Sequence, residues 1–315
     1  MSLTRWFALA WLLGLLAACG ESEQPPAKPT QQVVETPGEM EQRRADAAYR
    51  EQLRAGWLEL ENADRQSAVP PPEPVIEAPP AAVVETSSPA STIPAIAILI
   101  DDVGHNLRQG RRLLALPVAL AILPHTQAAQ QLAAEAATLG RTVILHQPME
   151  NSAGLSIGPG GLYSRMDAIE LRQVLQHNLN SFTPIRGINN HMGSRLTGER
   201  DAMDEVMQVL KERGLFFIDS RTTHHTQAAF AAEAAGVRHL SRDVFLDNER
   251  DAAAIAAAFS QALSVARKQG SALIIGHPYP QTIAFLEQRL AEDLLVSEGV
   301  EMVSVDELLE RKYRR

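Results

Sequence analysis

Residues 95–105 read Ala-Ile-Ala-Ile-Leu-Ile-Asp-Asp-Val-Gly-His, and this stretch decides the fold. Six apolar residues in a row are typical of a buried parallel strand. The run stops at Asp101 and Asp102, two carboxylates that cost free energy unless they are solvated, paired or bound to a cation. Active sites of α/β folds are built at this end of a strand. A helix cap would explain one of the two aspartates and leave the other unexplained.

The same alternation of apolar runs and helical stretches continues to about residue 313. It predicts strands at 95–100, 118–123, 141–146, 185–190, 214–219, 237–240 or 243–246, 271–276 and 300–304. It predicts helices near 107–115, 126–139, 167–181, 200–213, 227–235, 251–269, 281–294 and 306–312. Repeating βα units over a domain of residues 95–313 suit a single parallel barrel or a doubly wound sheet.

Two segments of different composition precede this domain. Residues 1–19 combine a short positive start, an apolar run and small residues, which predicts a secretory signal peptide. The sequence Leu16-Ala17-Ala18-Cys19 resembles the bacterial lipoprotein cleavage box, which implies that Cys19 becomes the lipidated first residue. Cys19 is the one cysteine of the chain, so no intramolecular disulfide can form. In a Gram-negative host we expect a lipid anchor at the periplasmic face of the outer membrane.

Residues 20–94 hold 12 of the 19 prolines, together with many Ala and Glu residues, and predict a disordered tether. Within it, residues 39–66 predict a helix with one apolar stripe. That helix could pack on the domain, form a short coiled coil or stay solvated, so the oligomeric state is left open. The formal net charge of −9 argues against nucleic acid as a partner.

Four histidines and a third carboxylate also follow predicted strands. They are His125, His146, His191, His277 and Asp219. If all strands are parallel, these side chains share one face with Asp101 and Asp102. Imidazole and carboxylate groups suit a catalytic divalent metal such as Zn²⁺, with one position left for water. Three other histidines are expected at the surface, namely His224, His225 and His239.

Over about residues 95–310 the chain resembles the divergent polysaccharide deacetylases, a branch of the NodB-type carbohydrate esterase superfamily. The motifs that carry the resemblance are Ile-Asp101-Asp102-Val-Gly, Leu-His146-Gln-Pro-Met-Glu150, Asn-Asn-His191-Met-Gly-Ser194, Ile-Asp219-Ser-Arg221 and Gly-His277-Pro. The resemblance implies an α/β fold, a distorted (β/α) barrel with seven or eight strands. It also implies removal of acetyl groups from sugars with the help of one metal ion.

The resemblance gives a role to each matching residue. It implies that Asp101 is a base and Asp102 a metal ligand. The superfamily places two metal-binding histidines four residues apart, but here that spacing gives His146 and Glu150. His191 stands where the superfamily has an Arg-Pro motif and is our candidate for the missing ligand. The last motif of the superfamily matches His277, which is the implied general acid.

Further residues are expected to support the site or to contact substrate. They are Glu150, His105, Ser194, Asp219, Arg221 and Tyr163. Glu150 is either a fourth ligand or the partner of a metal-bound histidine. Asp219 and Arg221 stand near the place of a superfamily Asp-Trp motif and could orient a catalytic group. The loop at 151–165 is long for a βα connection, which fits a groove wall carrying Tyr163 or a structural cover of the barrel end.

Two functions from different classes remain open on sequence. The first is a metal-dependent deacetylase, with zinc as the expected metal, acting on N- or O-acetyl groups of an envelope glycan such as peptidoglycan. The second is a non-catalytic glycan-binding or scaffolding envelope lipoprotein with a degenerate site, which the predicted lipid anchor and long tether suit. We favour the deacetylase. Hydrolysis of a phosphoester is a weaker third possibility, because the predicted site lacks a basic cluster, although Arg195 and Arg221 prevent its exclusion.

Overall fold

The structure is a computed structural model that describes residues 93–290 and 298–314. The predicted signal peptide at 1–19 lies outside these ranges, as does the predicted helix at 39–66. The predicted tether lies outside them as well, except for residues 93 and 94. No helix in the described ranges combines the length and the apolar character that a membrane span requires.

Strands and helices alternate along the chain. The strands are β1 (Ala95–Val103), β2 (Ala119–Ile122), β3 (Val143–Met149), β4 (Gly187–Met192), β5 (Phe216–Asp219), β6 (His239–Ser241), β7 (Val244–Phe245), β8 (Ser271–Gly276) and β9 (Glu301–Met302). The helices are α1 (Leu107–Leu114), α2 (Ala129–Thr138), α3 (Ala168–Leu179), α4 (Arg200–Arg213), α5 (Ala228–Ala235), α6 (Ala252–Gln269), α7 (Pro280–Leu290) and α8 (Val305–Tyr313). For the sixth strand the sequence predicted either 237–240 or 243–246, and the structure has a strand in each of these ranges, β6 and β7.

Local signals explain where several helices begin and end. Side chains of Asn106 and Asp251 accept hydrogen bonds from backbone N–H groups in the first turns of α1 and α6. Gly214 and Gly236 end α4 and α5 in the left-handed conformation that glycine adopts without strain. These caps are visible in the sequence, which is why the predicted helix ends lie close to those of the structure.

Among the described residues all strand pairs are parallel, and eight strands follow one path in the order β6-β5-β4-β3-β2-β1-β8-β7, with β9 beside β1. The two ends of that path, β6 and β7, are separated in the chain by Arg242 and Asp243 alone. A link of that length spans at most about 11 Å, so the sheet must curl until its ends come close. The result is a distorted parallel (β/α) barrel, open between β6 and β7, which confirms the predicted fold class.

Alternate strand residues fill the barrel interior. One buried apolar cluster takes every second residue of several strands, namely Ala95, Ala97, Leu99, Ala119, Ala121, Ile144, Phe216, Ile218, Leu240, Leu273 and Ile275. Residues two apart on a strand face the same side, so the next position on each strand also faces inward. Those next positions are Asp101, His146, Ser220 and His277, with Asn189 in register beside His146. The apolar core therefore ends in a polar layer at the carboxyl ends of the strands.

Candidate metal centre

Two adjacent carboxylates reach the same site because β1 is irregular at its carboxyl end. Adjacent residues of a regular strand face opposite sides of the sheet. The register of β1 against β2 shifts between Ile100 and Val103, and Asp102 has a φ of +56°, in the left-handed region. Aspartate tolerates this conformation better than most residues. Asp101 keeps its inward position, while the irregularity brings Asp102 to the same rim.

Asp102, His146 and His191 form a compact cluster of metal-ligand type. Asp102 Oδ1 lies 3.2 Å from His146 Nε2 and 2.9 Å from His191 Nδ1. The two histidine nitrogens are 3.2 Å apart. Within residues 93–290 and 298–314, this is the one group of three such side chains whose ligand atoms all lie within 4.8 Å of one another. These are the three residues predicted as ligands, brought together from β1, β3 and β4.

The cluster fits a divalent cation. Asp102 Oδ1 is buried, yet neither nearby ring presents an N–H to it with hydrogen-bond geometry. A buried carboxylate oxygen without a donor costs free energy, and a cation offsets that cost. One carboxylate oxygen and two imidazole nitrogens are a ligand set that Zn²⁺ accepts, with a further position open to water.

The charges in the cluster perturb one another. Burial raises the pKa of Asp101, and the nearby His146 and His277 only partly oppose this effect. Burial also raises the pKa of Asp102, but His146 and His191 outweigh it and hold that pKa well below its usual range. Burial lowers the pKa of His146, but the carboxylates of Asp101 and Asp102 outweigh it and raise that pKa to about 9. The two carboxylates therefore favour the charged, doubly protonated form of His146.

His277, at the end of β8, is oriented by a buried carboxylate that sequence reasoning missed. His277 Nδ1 lies 2.8 Å from Asp247 Oδ1, and the His277 N–H donates to Asp247 Oδ2 at 2.7 Å. Thr282 Oγ1 donates to the same Oδ2 at 2.7 Å. Burial lowers the pKa of His277, but the hydrogen bond with Asp247 outweighs it and raises that pKa. Asp247 follows the apolar run Val244–Leu246, the same strand-end signal that identified Asp219.

Two aromatic rings flank His277. The centroid of the Phe245 ring lies 6.1 Å from that of His277, and the centroid of the Tyr279 ring lies 5.4 Å from it. The guanidinium of Arg242 lies 3.8 Å from the Phe245 centroid, and that of Arg250 lies 3.8 Å from the Tyr279 centroid. Aromatic residues are only 5% of the chain, and composition alone could not reveal that two of them meet here.

Glu150 and Ser194 hold the long loop after β3. Glu150 Oε2 accepts a hydrogen bond from Ser164 N–H at 2.7 Å, and its Oε1 lies 3.6 Å from Arg195 Nε. Ser194 Oγ accepts from Ser152 N–H at 3.0 Å. Glu150 is not among the side chains whose ligand atoms converge in the described chain. The structure therefore places it with the loop and not with Asp102 and the two histidines.

The loop at 151–165 is packed against β3 and α3. Leu162 is buried and pairs with Met149 at the end of β3. The side chains of Gln147 and Asn178 both donate to the carbonyl of Gly160, at 2.9 and 2.7 Å. Tyr163 is half-buried with the guanidinium of Arg165 lying 4.2 Å from its ring centroid. A predicted contact of Tyr163 with sugar stays a prediction.

Asp219 stabilises the turn after β5. Its Oδ1 accepts from Arg221 N–H at 2.8 Å, and its Oδ2 accepts from Thr226 Oγ1 at 3.0 Å. Burial raises the pKa of Asp219. Arg221 contributes its backbone to these contacts, since its carbonyl accepts from Arg242 at 3.1 Å. These are contacts of a loop cap, and the predicted role of the pair in orienting a catalytic group stays a prediction.

Three other histidines lie apart from the cluster. His105 is exposed just after β1. His125 does not join the ligand atoms, because its Nε2 lies 2.9 Å from Asn178 Oδ1 and its ring stacks on that of His177. His239 was expected at the surface, and this expectation is wrong. It is buried because α8 covers the start of β6, where Tyr313 Oη accepts from His239 N–H at 3.0 Å.

Comparison with known proteins places these observations in a family. A family model described as divergent polysaccharide deacetylase matches residues 98–309. An uncharacterised protein of Haemophilus influenzae is 38% identical over 204 residues, which cover 63% of this chain and 73% of that protein. The uncharacterised protein YibQ of Escherichia coli K12 is 36% identical over 210 residues, which cover 66% of each.

A solved structure shares the fold. The crystal structure of the uncharacterised protein ATU2773 from Agrobacterium tumefaciens C58 superimposes with a TM-score of 0.66 at 24% identity. The match covers 70% of this chain and 91% of that chain. At this level of identity the likeness concerns the fold alone.

Proposed function

The chain belongs to the divergent polysaccharide deacetylases, and from that premise we propose that it is a metal-dependent deacetylase of an acetylated envelope glycan. The observation that carries the proposal is the convergence of Asp102, His146 and His191 beside a second, buried carboxylate. The predicted signal peptide and the predicted lipid anchor at Cys19 support a substrate in the cell envelope.

Asp102, His146 and His191 would hold the cation, and zinc suits this set of one oxygen and two nitrogen ligands. When bound, the cation polarises the acetyl carbonyl as a Lewis acid and lowers the pKa of water to about 7. The residues of the chain then have to move two protons, one away from the attacking water and one toward the leaving nitrogen.

Asp101 is suited to accept the proton of the attacking water. It is buried at the rim next to Asp102, and its Oδ2 lies 3.7 Å from His146 Nε2. Burial raises its pKa, which makes it a stronger base than an exposed aspartate. General bases work best when their pKa lies near the working pH.

His277 is suited to protonate the leaving nitrogen. Its Nδ1 bonds to Asp247, which leaves Nε2 for proton exchange and raises the pKa of the ring. The water oxygen bonds to the acetyl carbon, the carbon–nitrogen bond breaks, and the nitrogen takes the proton of His277. Acetic acid, which ionises to acetate in solution, and a free amino sugar leave. Asp101 then holds the proton taken from water, and its loss to solvent together with reprotonation of His277 restores the site. Ester substrates follow the same course with oxygen as the leaving atom.

The test is acetate release from acetylated glycans by the full-length chain, stripped of metal with a chelator and reloaded with Zn²⁺. We expect activity only in the reloaded protein. Asp101→Asn should keep its zinc and lose activity by a factor of about 100 to 10,000. Asp306→Asn is the control, because Asp306 is a half-buried carboxylate at the opposite end of the strands, where Thr142 Oγ1, just before β3, donates to its Oδ2 at 2.6 Å.

Two outcomes would contradict the proposal. One is the absence of acetate release from every acetylated glycan by zinc-loaded protein. The other is an Asp101→Asn variant as active as the wild type. The Asp306→Asn variant should retain both zinc and most of the activity, and a loss equal to that of Asp101→Asn would point to general destabilisation.

A further inference from the structure

Asn189 connects the candidate ligand His146 to the candidate base Asp101. It lies on β4, in register with His146 on β3, and is fully buried. Asn189 Oδ1 lies 2.8 Å from His146 Nδ1. Its Nδ2 donates to Asp101 Oδ1 at 2.7 Å and to Ser220 Oγ at 3.1 Å. One amide thus contacts both a candidate metal ligand and the candidate base.

The partners of this amide determine which way it points. An ionised carboxylate only accepts hydrogen bonds, so the amide nitrogen must face Asp101. The amide oxygen then faces His146, and because that oxygen only accepts, His146 Nδ1 must carry a proton. In the neutral ring the lone pair is therefore on Nε2, which is the nitrogen that lies 3.2 Å from Asp102 Oδ1.

We propose that Asn189 is a positioning residue of the deacetylase site, in which its amide oxygen orients His146 and its amide nitrogen orients Asp101. The oxygen holds His146 in the tautomer that can bind a cation through Nε2. The nitrogen holds Asp101 in place beside the attacking water. This inference rests on the proposed function and gives a role to a residue of the Asn-Asn-His191 motif that the sequence analysis left without one.

The contact between Asn189 Oδ1 and His146 should affect how tightly the site binds a cation. A metal-bound histidine usually donates its other ring N–H to an acceptor that fixes its orientation, and loss of that acceptor lowers metal affinity by about 10- to 100-fold. Asn189 Oδ1 is the acceptor that the structure gives to His146. Its removal should therefore weaken cation binding even though Asn189 is not itself a ligand.

Asn190 provides a matched control one residue further along β4. It is also buried, but it faces the opposite side of the strand. Its Nδ2 donates to the carbonyl of Met192 at 2.7 Å, and its Oδ1 accepts from Ser220 N–H at 2.9 Å. Substitution of Asn190 removes buried amide contacts of the same kind without removing a partner of His146 or Asp101.

The experiment measures Zn²⁺ affinity by chelator competition, and acetate release, in full-length variants whose folding is checked by circular dichroism. Asn189→Leu removes both amide atoms, and we expect Zn²⁺ affinity to fall by about 10- to 100-fold. Asn189→Asp keeps the acceptor for His146 and loses the donor to Asp101. We expect it to bind Zn²⁺ at least as tightly as the wild type while kcat falls by about 100-fold. Asn190→Leu should leave the Zn²⁺ affinity unchanged.

The variants test separately the effect of Asn189 on His146 and its effect on Asp101. Wild-type affinity in folded Asn189→Leu overturns the effect on His146, and wild-type kcat in Asn189→Asp overturns the effect on Asp101. If Asn189→Leu does not fold, Asn189→Ala takes its place with the same expected loss of affinity. A wild-type protein that binds Zn²⁺ but releases no acetate refutes the proposed function, while the affinities still decide the role of Asn189 toward His146. A wild-type protein that binds no Zn²⁺ overturns both.

Discussion

Asp101 and Asp102 are neighbours in sequence, yet their surroundings push their pKa values in opposite directions. Burial raises the pKa of Asp101, whereas His146 and His191 hold the pKa of Asp102 well below its usual range. One carboxylate is thereby suited to exchange a proton, and the other stays an anion that can hold a cation. Such separation of pKa values within a pair is typical of acid–base sites.

Cation affinity should depend on pH through His146. The two carboxylates raise the pKa of this ring to about 9, and a cation can bind only the deprotonated nitrogen. Below that pKa each binding event releases a proton, so Zn²⁺ affinity should rise by about tenfold per pH unit and level off above it. Chelator competition across this range measures the slope. An affinity that does not change with pH would contradict this account of His146.

The pH profile of catalysis should depend on Asp247. The bond to Asp247 raises the pKa of His277 above its ordinary value, and a general acid works only while it is protonated. Asp247→Asn removes the charge, so the pKa of His277 should fall and the alkaline limb of the kcat profile should move to lower pH. Thr282→Val removes a neutral partner of the same carboxylate and should leave that limb in place. If the alkaline limb of the kcat profile lies at the same pH in Asp247→Asn as in the wild type, His277 is not the general acid.

At the scale of strands, the apolar run of β1 predicted a parallel α/β sheet, and the family resemblance narrowed it to a distorted barrel. The strand-end positions of Asp102, His146 and His191 predicted a shared rim, while their roles as ligands came from the resemblance. Glu150 shows where spacing misleads. β3 continues to Met149, and four residues of extended strand span about 13 Å, so Glu150 cannot reach the cation beside His146. A spacing of four residues places two ligands together only where the chain is not extended.

Asn189 and Asp247 could not be assigned from sequence for a different reason. Each acts on a histidine that lies far away in the chain, and the pairing depends on which strands are neighbours and on their register. Asn189 and His191 are two residues apart on β4, which indicates that they share a face. Only the register of β4 against β3 reveals that Asn189 lies beside His146. Apolar patterns fix which face a residue takes and leave its cross-strand partner open.

In the loop after β3, a side chain at position 160 would be both strained and crowded. Gly160 has a φ of +75°, and an added Cβ would lie 2.4 Å from Asn178 Oδ1, which is buried. Gly158 has a φ of +80° with nothing within 4 Å of an added Cβ. Both alanine variants should lose about 1 kcal/mol or more from the positive φ. Gly160→Ala should lose more because its neighbour must move, and equal free energies of unfolding by urea titration would contradict this.

At the scale of the whole molecule, the candidate site exists only because the sheet curls. The groups of the polar layer come from β1, β3, β4 and the ends of β5 and β8, which are far apart in sequence and meet at one rim. An unfolded chain cannot present these ligands together, so cation binding should be coupled to folding of the barrel. The apolar interior below the rim, filled by alternate residues of the same strands, sets the positions of the ligands.

The most direct test of a metal-dependent site is the zinc content of the full-length chain by elemental analysis, in the wild type, His191→Ala and His125→Ala. His125 also follows a strand, but it bonds to Asn178 and serves as the control. We expect about one Zn²⁺ per chain in the wild type and in His125→Ala, and a loss of zinc in His191→Ala. A wild type that stays free of metal after addition of Zn²⁺, or a His191→Ala variant with full zinc content, would contradict the account.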